Sequence, residues 1–308
     1  MNNDSDNKEL TIINILKLLW KDKFVIVSIT LLFSVSAVFY SLSIQNYYTS
    51  SALLASTSSD SSAQSSMLSN MGGLASLAGI QLPQSSGDKT DISITMMKSR
   101  QFFEHLVNKD SLILPSLMAP LEFDNNDNVL IFDPEQYIAN EDKWIRGVKE
   151  PYQVIPSIQE SHKIFLNNFS IKKDEQTGFV DVSFQHISPY FAEYFLTLIV
   201  DEINEITRLK DLNDSKSAIS YLEEESSKNS NRNIENSINA LMQAEMEKQM
   251  LSQISQYYVF EYIDKPFVPE LKSGPNRAII CIVAFFAGLF IACFYSLFKF
   301  NFRPKVYN

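Results

Sequence analysis

Cysteine is almost missing from this chain of 308 residues: Cys281 and Cys293 are the two there are, and both lie inside one uncharged run near the C-terminus. None is left elsewhere for a disulfide framework or a thiolate zinc site. Histidine is nearly as scarce, with His105, His162 and His186 far apart and without evident partners. Basic charge falls short of acidic charge, 26 Lys and Arg against 36 Asp and Glu for a net −10. That balance argues against a nucleic-acid partner, whose phosphates need a basic face. No internal period of roughly 20–50 residues recurs, so a solenoid is not expected. Residues 71–80 (MGGLASLAGI) hold glycines but no Gly-Lys-Ser/Thr follows, and a close-packed turn is the reading rather than a phosphate loop. Residues 124–128 (DNNDN) resemble half a calcium loop without its turn glycine or terminal glutamate, so a solvated turn is expected there. Asp and Glu are plentiful, but no spacing singles out an acid–base pair. No catalytic, cofactor-binding or metal residue is identified, no cofactor is implied, and the chain does not read as an enzyme.

Two long apolar runs stand near the ends of the chain. Residues 278–298 read AIICIVAFFAGLFIACFYSLF, bounded by Arg277 and Lys299. As a helix this is roughly 31 Å long, the thickness of a bilayer's hydrocarbon core, which predicts a membrane span. Residues 24–44 (FVIVSITLLFSVSAVFYSLSI) form a second uncharged run of spanning length. It starts late for a signal sequence and lacks a small-x-small cleavage site, so a retained first span is expected. Lys17, Lys21 and Lys23 precede it, and no Lys or Arg follows until Lys89. This asymmetry places the N-terminus in the cytoplasm, and the second span returns Lys299, Arg303 and Lys305 to the same side. Residues 10–20 (LTIINILKLLW) read as a short interfacial helix or as an extension of the next helix. The expected organisation is a cytoplasmic tail (1–23), a transmembrane helix (24–44), one exported domain (45–277), a second transmembrane helix (278–298) and a second tail (299–308). Inside the second run Ala284, Gly288, Ala292 and Ser296 recur every four residues. Such a stripe lets another helix backbone come close, and a homo-oligomer is expected from it.

Within the exported part, residues 47–55 (YYTSSALLA) read as a strand and the serine-rich residues 56–66 as a loop. Residues 88–108 are expected to form one helix capped by Asp88, and residues 110–155, with four prolines, to be irregular. Ser157-Ile-Gln-Glu160 is a capping box that starts a further helix. Residues 169–186 read as a β-hairpin, with Val180, Val182 and Phe184 alternating with Asp181, Ser183 and Gln185. Ser188-Pro189 opens the longest helical region. Phe195, Ile199, Ile203 and Ile206 form an apolar stripe that Leu209 and Leu212 extend. The sequence then turns polar, and the stripe resumes at Ile234, Ile238, Leu241, Met242 and Met246. Two amphipathic limbs with a polar apex predict a helical hairpin projecting over about residues 189–256, its limbs packed through Phe195, Ile199, Ile203, Ile206, Ile238 and Leu241. Glu223, Glu224 and Glu225 read as its solvated face. Residues 257–263 (YYVFEYI) are aromatic and β-branched, hence a strand. Pro266, Pro269 and Pro275 follow as a stiff approach to the second run.

Taken together these pieces resemble the polysaccharide chain-length determinants, or Wzz-type polysaccharide co-polymerases. The resemblance runs from LTIINILKLLWKDK before the first span and YTSSALLA after it, through GGLASLAGI and DKTDISITMMKSRQFF. It continues with PSIQESHKIF and KKDEQTGFVDVSFQHISP, and ends with QYYVFEYIDKPFVPELKSGPNRA entering the second span. What the resemblance implies is an α+β membrane protein of the bacterial inner membrane. Its two transmembrane helices flank a periplasmic α/β base domain that carries the helical hairpin. It also implies a homo-oligomeric ring that sets the modal length of a surface glycan, O-antigen of lipopolysaccharide first among them. Such a ring works beside a separate polymerase, with the growing glycan and membrane lipid as further partners and no nucleic acid. The family's proline-rich segment often enters the second span, whereas Pro275, the last proline before the run, stands outside it. A related branch carries a C-terminal tyrosine kinase, which is not expected in a chain ending at Asn308 without a nucleotide loop. The nearest rival is a capsule or other polysaccharide export component. A rival of another class is a two-span periplasmic receptor, which needs a cytoplasmic output module that tails this short do not supply.

Overall fold

The computed structural model describes residues 20, 22–57, 89–228, 232–255 and 257–301. Residues 10–19 of the expected interfacial helix, most of the serine-rich loop, the 71–80 turn and the Asp88 cap lie outside the described residues. In chain order the elements are α1 (Lys23–Ser43), β1 (Tyr48–Ser56), α2 (Lys89–Met97), α3 (Arg100–Lys109) and α4 (Ile113–Met118). Next come β2 (Pro120–Asp124), β3 (Val129–Phe132), β4 (Tyr137–Ile138), β5 (Lys143–Trp144), α5 (Ile158–Asn168), β6 (Phe169–Lys173) and β7 (Val180–His186). The chain finishes with α6 (Pro189–Lys228), α7 (Arg232–Ile254), β8 (Phe260–Asp264) and α8 (Arg277–Asn301). It divides into two compact units: Met1–Asn46 with Lys272–Asn308, and Tyr47–Leu271.

The larger unit is built on a four-stranded antiparallel sheet in the order β6-β7-β1-β8. Alternation in β7 turns Val180, Val182, Phe184 and His186 inward and leaves Asp181 exposed, the period of two that a half-buried strand requires. β1 presents Ala52 and Leu54 to the same core. Against this face packs the first half of α6, where Phe195, Leu196, Ile199, Val200 and Ile203 are all fully buried. The core is aromatic: Phe165 stacks on Phe103 at 5.0 Å and on Phe169 at 5.1 Å, and Phe184 meets Phe195 edge-on at 4.9 Å. Such pairs add about 0.5–1.5 kcal/mol each beyond their burial.

Two expectations are corrected here. The helix expected over residues 88–108 is two helices, α2 and α3. Ser99 takes an extended backbone and its hydroxyl accepts from Phe102 N at 3.2 Å, so it ends one helix and caps the next. Residues 110–155 are not irregular. They form α4 and two small hairpins, β2–β3 and β4–β5. Asp124 accepts from Asn126 N at 2.8 Å and Asn128 takes a left-handed φ of 56°, so DNNDN closes the first hairpin. The capping box is half formed. Ser157 Oγ accepts from Glu160 N at 3.2 Å, but the Glu160 carboxylate turns instead to Arg146 and holds both its terminal nitrogens at 2.6 Å. Arg146 is buried and also donates to the carbonyls of Gln153 and Val154, stapling the loop before α5 to that helix. The Arg146 hydrogen bonds hold the Glu160 carboxyl below its usual range.

Beyond Thr207, the only residue that α6 buries is Ser215, and its neighbour there is α7. α7 buries only Ile238 and Ser252. Leu241, expected among the packed limb residues, is 40 % exposed, as are Leu209 and Met246 to a similar degree. The physical reason is that a pair of helices without a third layer can cover only one stripe of each.

Candidate functional site

The smaller unit is the pair α1 and α8, both long and apolar enough to cross a membrane. Their outward side chains are mostly large and apolar; Leu31 is 63 %, Phe39 71 % and Phe290 74 % exposed. Where the helices meet, the residues are small or hydroxylic. α8 buries Gly288, Ala292 and Ser296, with Ala284 half-buried, and α1 buries Thr30, Ala37 and Ser41. A Cβ on Gly288 would stand 2.8 Å from Phe33 Cβ and 3.4 Å from Thr30 Cα, so glycine is what allows this approach. Two hydroxyls of α1 are satisfied on their own helix: Thr30 Oγ1 donates to Ile26 O at 2.8 Å and Ser34 Oγ to Thr30 O at 2.9 Å. The small-residue stripe thus faces the chain's own first apolar helix.

Polar clamps close the pair at both ends. At one end Ser296 donates to Asp22 at 3.0 Å and Lys299 pairs with the same carboxylate at 3.7 Å. At the other, Arg277 donates to Ile44 O and to Asn46 Oδ1, each at 3.2 Å, and Lys272 reaches Asn46 at 3.4 Å. The hydropathy pattern marked Arg277 and Lys299 only as borders; their partners, Asn46 and Asp22, carried no signal beyond a polar residue at a run's edge.

In the larger unit the chemistry gathers where α6, α7 and β8 meet. Asn204, buried beside Ile203 in the apolar stripe, grips the start of β8. Its Oδ1 accepts from the backbone N–H groups of Tyr258, Val259 and Phe260 at 3.3, 2.8 and 2.9 Å, and its amide donates to Phe260 O at 2.9 Å. About two turns further along, Asp211 accepts from the Tyr258 hydroxyl at 2.7 Å and pairs with Lys89 at 2.7 Å and Lys248 at 3.7 Å. Ser252 of α7 donates to the same tyrosine oxygen at 3.1 Å. Burial would raise the Asp211 carboxyl, but its bonds to Lys89 and Tyr258 outweigh this and hold it below the usual range. A second cluster lies on the other side of α6, where Glu202 joins His105 at 2.7 Å and Lys109 at 3.0 Å.

Beside this fastening is a cleft of about 420 Å³, within the range of small-molecule sites. Tyr257 and Tyr262 stand in it edge to face, 5.8 Å apart at 88°. Tyr262 donates to Asp201 Oδ1 at 3.1 Å. Burial and the neighbouring Asp201 push the Tyr262 phenol far up, so it remains a donor. Burial, with repulsion from Glu202, raises the Asp201 carboxyl against the pull of Tyr262 and Lys265. Arg208 is held on Glu205 by bonds of 2.7–2.9 Å. Pro266 lines the cleft, Pro269 is buried and Pro275 is half-buried. Glu223, Glu224 and Glu225 lie far along α6 from this node, where Glu224 pairs with Lys228 at 2.7 Å. Among the described residues no cluster of three His, Cys, Asp or Glu could hold a metal ion.

These features define a mixed α/β protein with a long apolar helix near each end. Residues 8–109, about a third of the chain, match the family model described as "Wzz: Chain length determinant protein", and on that match the resemblance to the polysaccharide chain-length determinants is shown. The matched segment takes in α1, β1, α2 and α3. Solved structures similar to the chain include two polysaccharide co-polymerases. A "full-length bacterial polysaccharide co-polymerase" is 12 % identical over 95 % of this chain and 98 % of that one, with a TM-score of 0.40. A fragment of WzzB, a polysaccharide co-polymerase from Salmonella Typhimurium, is 11 % identical over 74 % of this chain and all of that one, with a TM-score of 0.30. No curated protein matches the chain.

Proposed function

We propose that this chain is a polysaccharide co-polymerase that sets the modal length of a surface glycan, O-antigen of lipopolysaccharide, acting beside a separate polymerase without forming glycosidic bonds itself. The observation that carries the reading is the match of residues 8–109 to the chain length determinant model. Two candidate spans near the ends of the chain support it. In this reading both spans cross the inner membrane, both termini are cytoplasmic, and residues 45–277 form a periplasmic domain whose α6 and α7 project as a helical hairpin. Copies of the chain assemble into a ring, and the ring limits how long a growing glycan stays with the polymerase. Because α8's stripe is occupied by α1, contacts between copies come from other surfaces.

Deleting the gene tests this directly. The glycan ladder on a gel is expected to persist with its modal band lost, and the intact gene supplied in trans restores the band. Loss of all polymer on deletion, or an unchanged ladder, overturns the reading.

A further inference from the structure

We propose that the cleft between α6 and the β8 segment is a binding site for a short stretch of neutral glycan, with Tyr257 as its stacking platform. The inference rests on the co-polymerase reading and names what one part of the molecule holds.

Sugar rings present two kinds of surface: C–H faces that are apolar, and a rim of hydroxyls that both donate and accept. A site for them needs an accessible aromatic face with donors and acceptors around it, rather than a wholly apolar pocket. The cleft offers this combination. Tyr257 is half-buried and set at a right angle to Tyr262, so the two rings form a corner with one face across from one edge. Asp201 spends one oxygen on Tyr262, leaving Oδ2 without a partner among the described residues as an acceptor for a hydroxyl. Lys265, exposed at the rim, is a donor with no ion pair among the described residues. Tyr262 and Asp201 brace each other, and Asn204 fixes the chain immediately before Tyr262, so the site is held in place before a ligand arrives.

The lining also speaks against other ligands. Glu193, Asp201 and Glu205 outnumber Arg208 and Lys265, and Arg208 is already neutralised by Glu205, so a polyanion would meet repulsion. No helix N-terminus or glycine-rich turn among these residues offers the backbone N–H groups that a phosphate needs. A purely apolar ligand would strand the carboxylates without partners.

The test uses the full-length protein in detergent or nanodiscs. The probe is a set of oligosaccharides of a few repeats, released from the producing cell's own surface polysaccharide, with a sulfated oligosaccharide as the polyanionic comparison. Binding is read by saturation-transfer NMR and by titration of tyrosine fluorescence. Saturable binding of the cell's own oligosaccharides is expected. Tyr257→Ala should weaken it at least about tenfold, equivalent to about 1.4 kcal/mol, and Tyr257→Trp should restore it. Lys265→Gln should weaken it less, and Glu223→Ala, far along α6, should leave it unchanged. Thermal melts of each variant show that the fold is kept, and Lys265→Gln, at an exposed site, keeps the test open should Tyr257→Ala unfold. No binding, binding insensitive to both Tyr257→Ala and Lys265→Gln, or preference for the sulfated probe overturns the site. The two readings fail separately. If deletion of the gene deregulates glycan length while the cleft fails these tests, the co-polymerase reading stands without the site. If deletion leaves length unchanged, the co-polymerase reading falls whatever the cleft binds.

Discussion

The two compact units solve the problem of packing in opposite ways. The Tyr47–Leu271 unit fills its core with large rings, Phe103, Phe165, Phe184 and Phe195, because in water each buried ring brings a large hydrophobic gain. The helix pair of the other unit turns its large side chains outward and meets through Gly288, Ala292 and Ser296. Between helices in lipid the hydrophobic gain is absent, and close backbone approach, dispersion and a few polar contacts remain. The same side chain therefore has opposite placement in the two units: a phenylalanine is core in one and turned outward in the other.

The sharpest way to break this contrast is to place an acidic group in the core of the larger unit. Ile203→Asp puts a carboxyl group at a fully buried position, where even its neutral form is expected to cost roughly 2–7 kcal/mol. Leu241→Asp, 40 % exposed, should cost no more than about 1 kcal/mol in the isolated chain. Thermal melts of the full-length protein in detergent compare them directly. Equal losses would show that the surface around Leu241 is covered in the working assembly.

A second test uses His186, buried at the end of β7. Its Nε2–H donates to Ser116 O at 2.8 Å and its Nδ1 accepts from Ser188 N at 3.1 Å, so the neutral ring satisfies both partners. Burial lowers its pKa to about 4 from 6.5. Below pH 6.5 the unfolded chain takes up a proton that the folded chain refuses. The contribution is thus complete above about 6.5 and is lost as the pH falls toward 4, by about 3 kcal/mol in total. Melting of the larger unit should fall over that window. His186→Phe, less stable at neutral pH, should flatten the dependence. A wild-type melt unchanged between pH 7 and 4.5 would remove His186 from the account.

A smaller effect is expected from Gly288→Leu, which drives a side chain into Phe33 and should weaken the helix pair by roughly 1–2 kcal/mol. With Cys281 and Cys293 replaced by serine, cysteines at Ala37 and Ala284, each four residues from the Phe33–Gly288 contact, report the pairing through disulfide crosslinking. The crosslink should drop in the variant and persist in Gly147→Leu, where nothing lies within 4 Å of an added Cβ. An undiminished crosslink in Gly288→Leu would mean that the helices meet elsewhere. Least of all is expected from Glu223→Ala, on the exposed part of α6, within about 0.5 kcal/mol of wild type in the same melts.

Periodic features were legible in the chain itself. The two uncharged runs, the alternation of Val180, Val182 and Phe184, and the Ser188 cap that accepts from Phe191 N at 3.2 Å all come from local rules that one segment carries alone. What escaped were decisions made by partners distant in sequence. Ser99 interrupts a stretch whose composition suits one helix. Glu160 leaves its capping role because Arg146, fourteen residues earlier, is buried beside it. Leu241 repeats the stripe's spacing yet stays exposed, since periodicity names a face without saying whether anything covers it. The cleft was least legible. Asp201 and Arg208 stand on α6 and Tyr262 on β8, some sixty residues on, and Asn204 showed only as one polar residue inside an isoleucine stripe.

Asn204 has a consequence for how such a molecule can vary. A one-residue slip of β8 would turn Phe260 away from the core, and the Asn204 carboxamide, bonded to three successive N–H groups, indexes the strand against that slip. Asp211, Tyr258 and Ser252 complete the fastening one step further out. Everything beyond them, the distal stretch of α6 and the outer part of α7, begins and ends at a locked base. Matched insertions of seven residues in each helix, close to two turns, preserve the facing stripes and leave that base untouched. The outer helices are thus a stretch whose length selection or an engineer can change without redesigning the fastening that holds it.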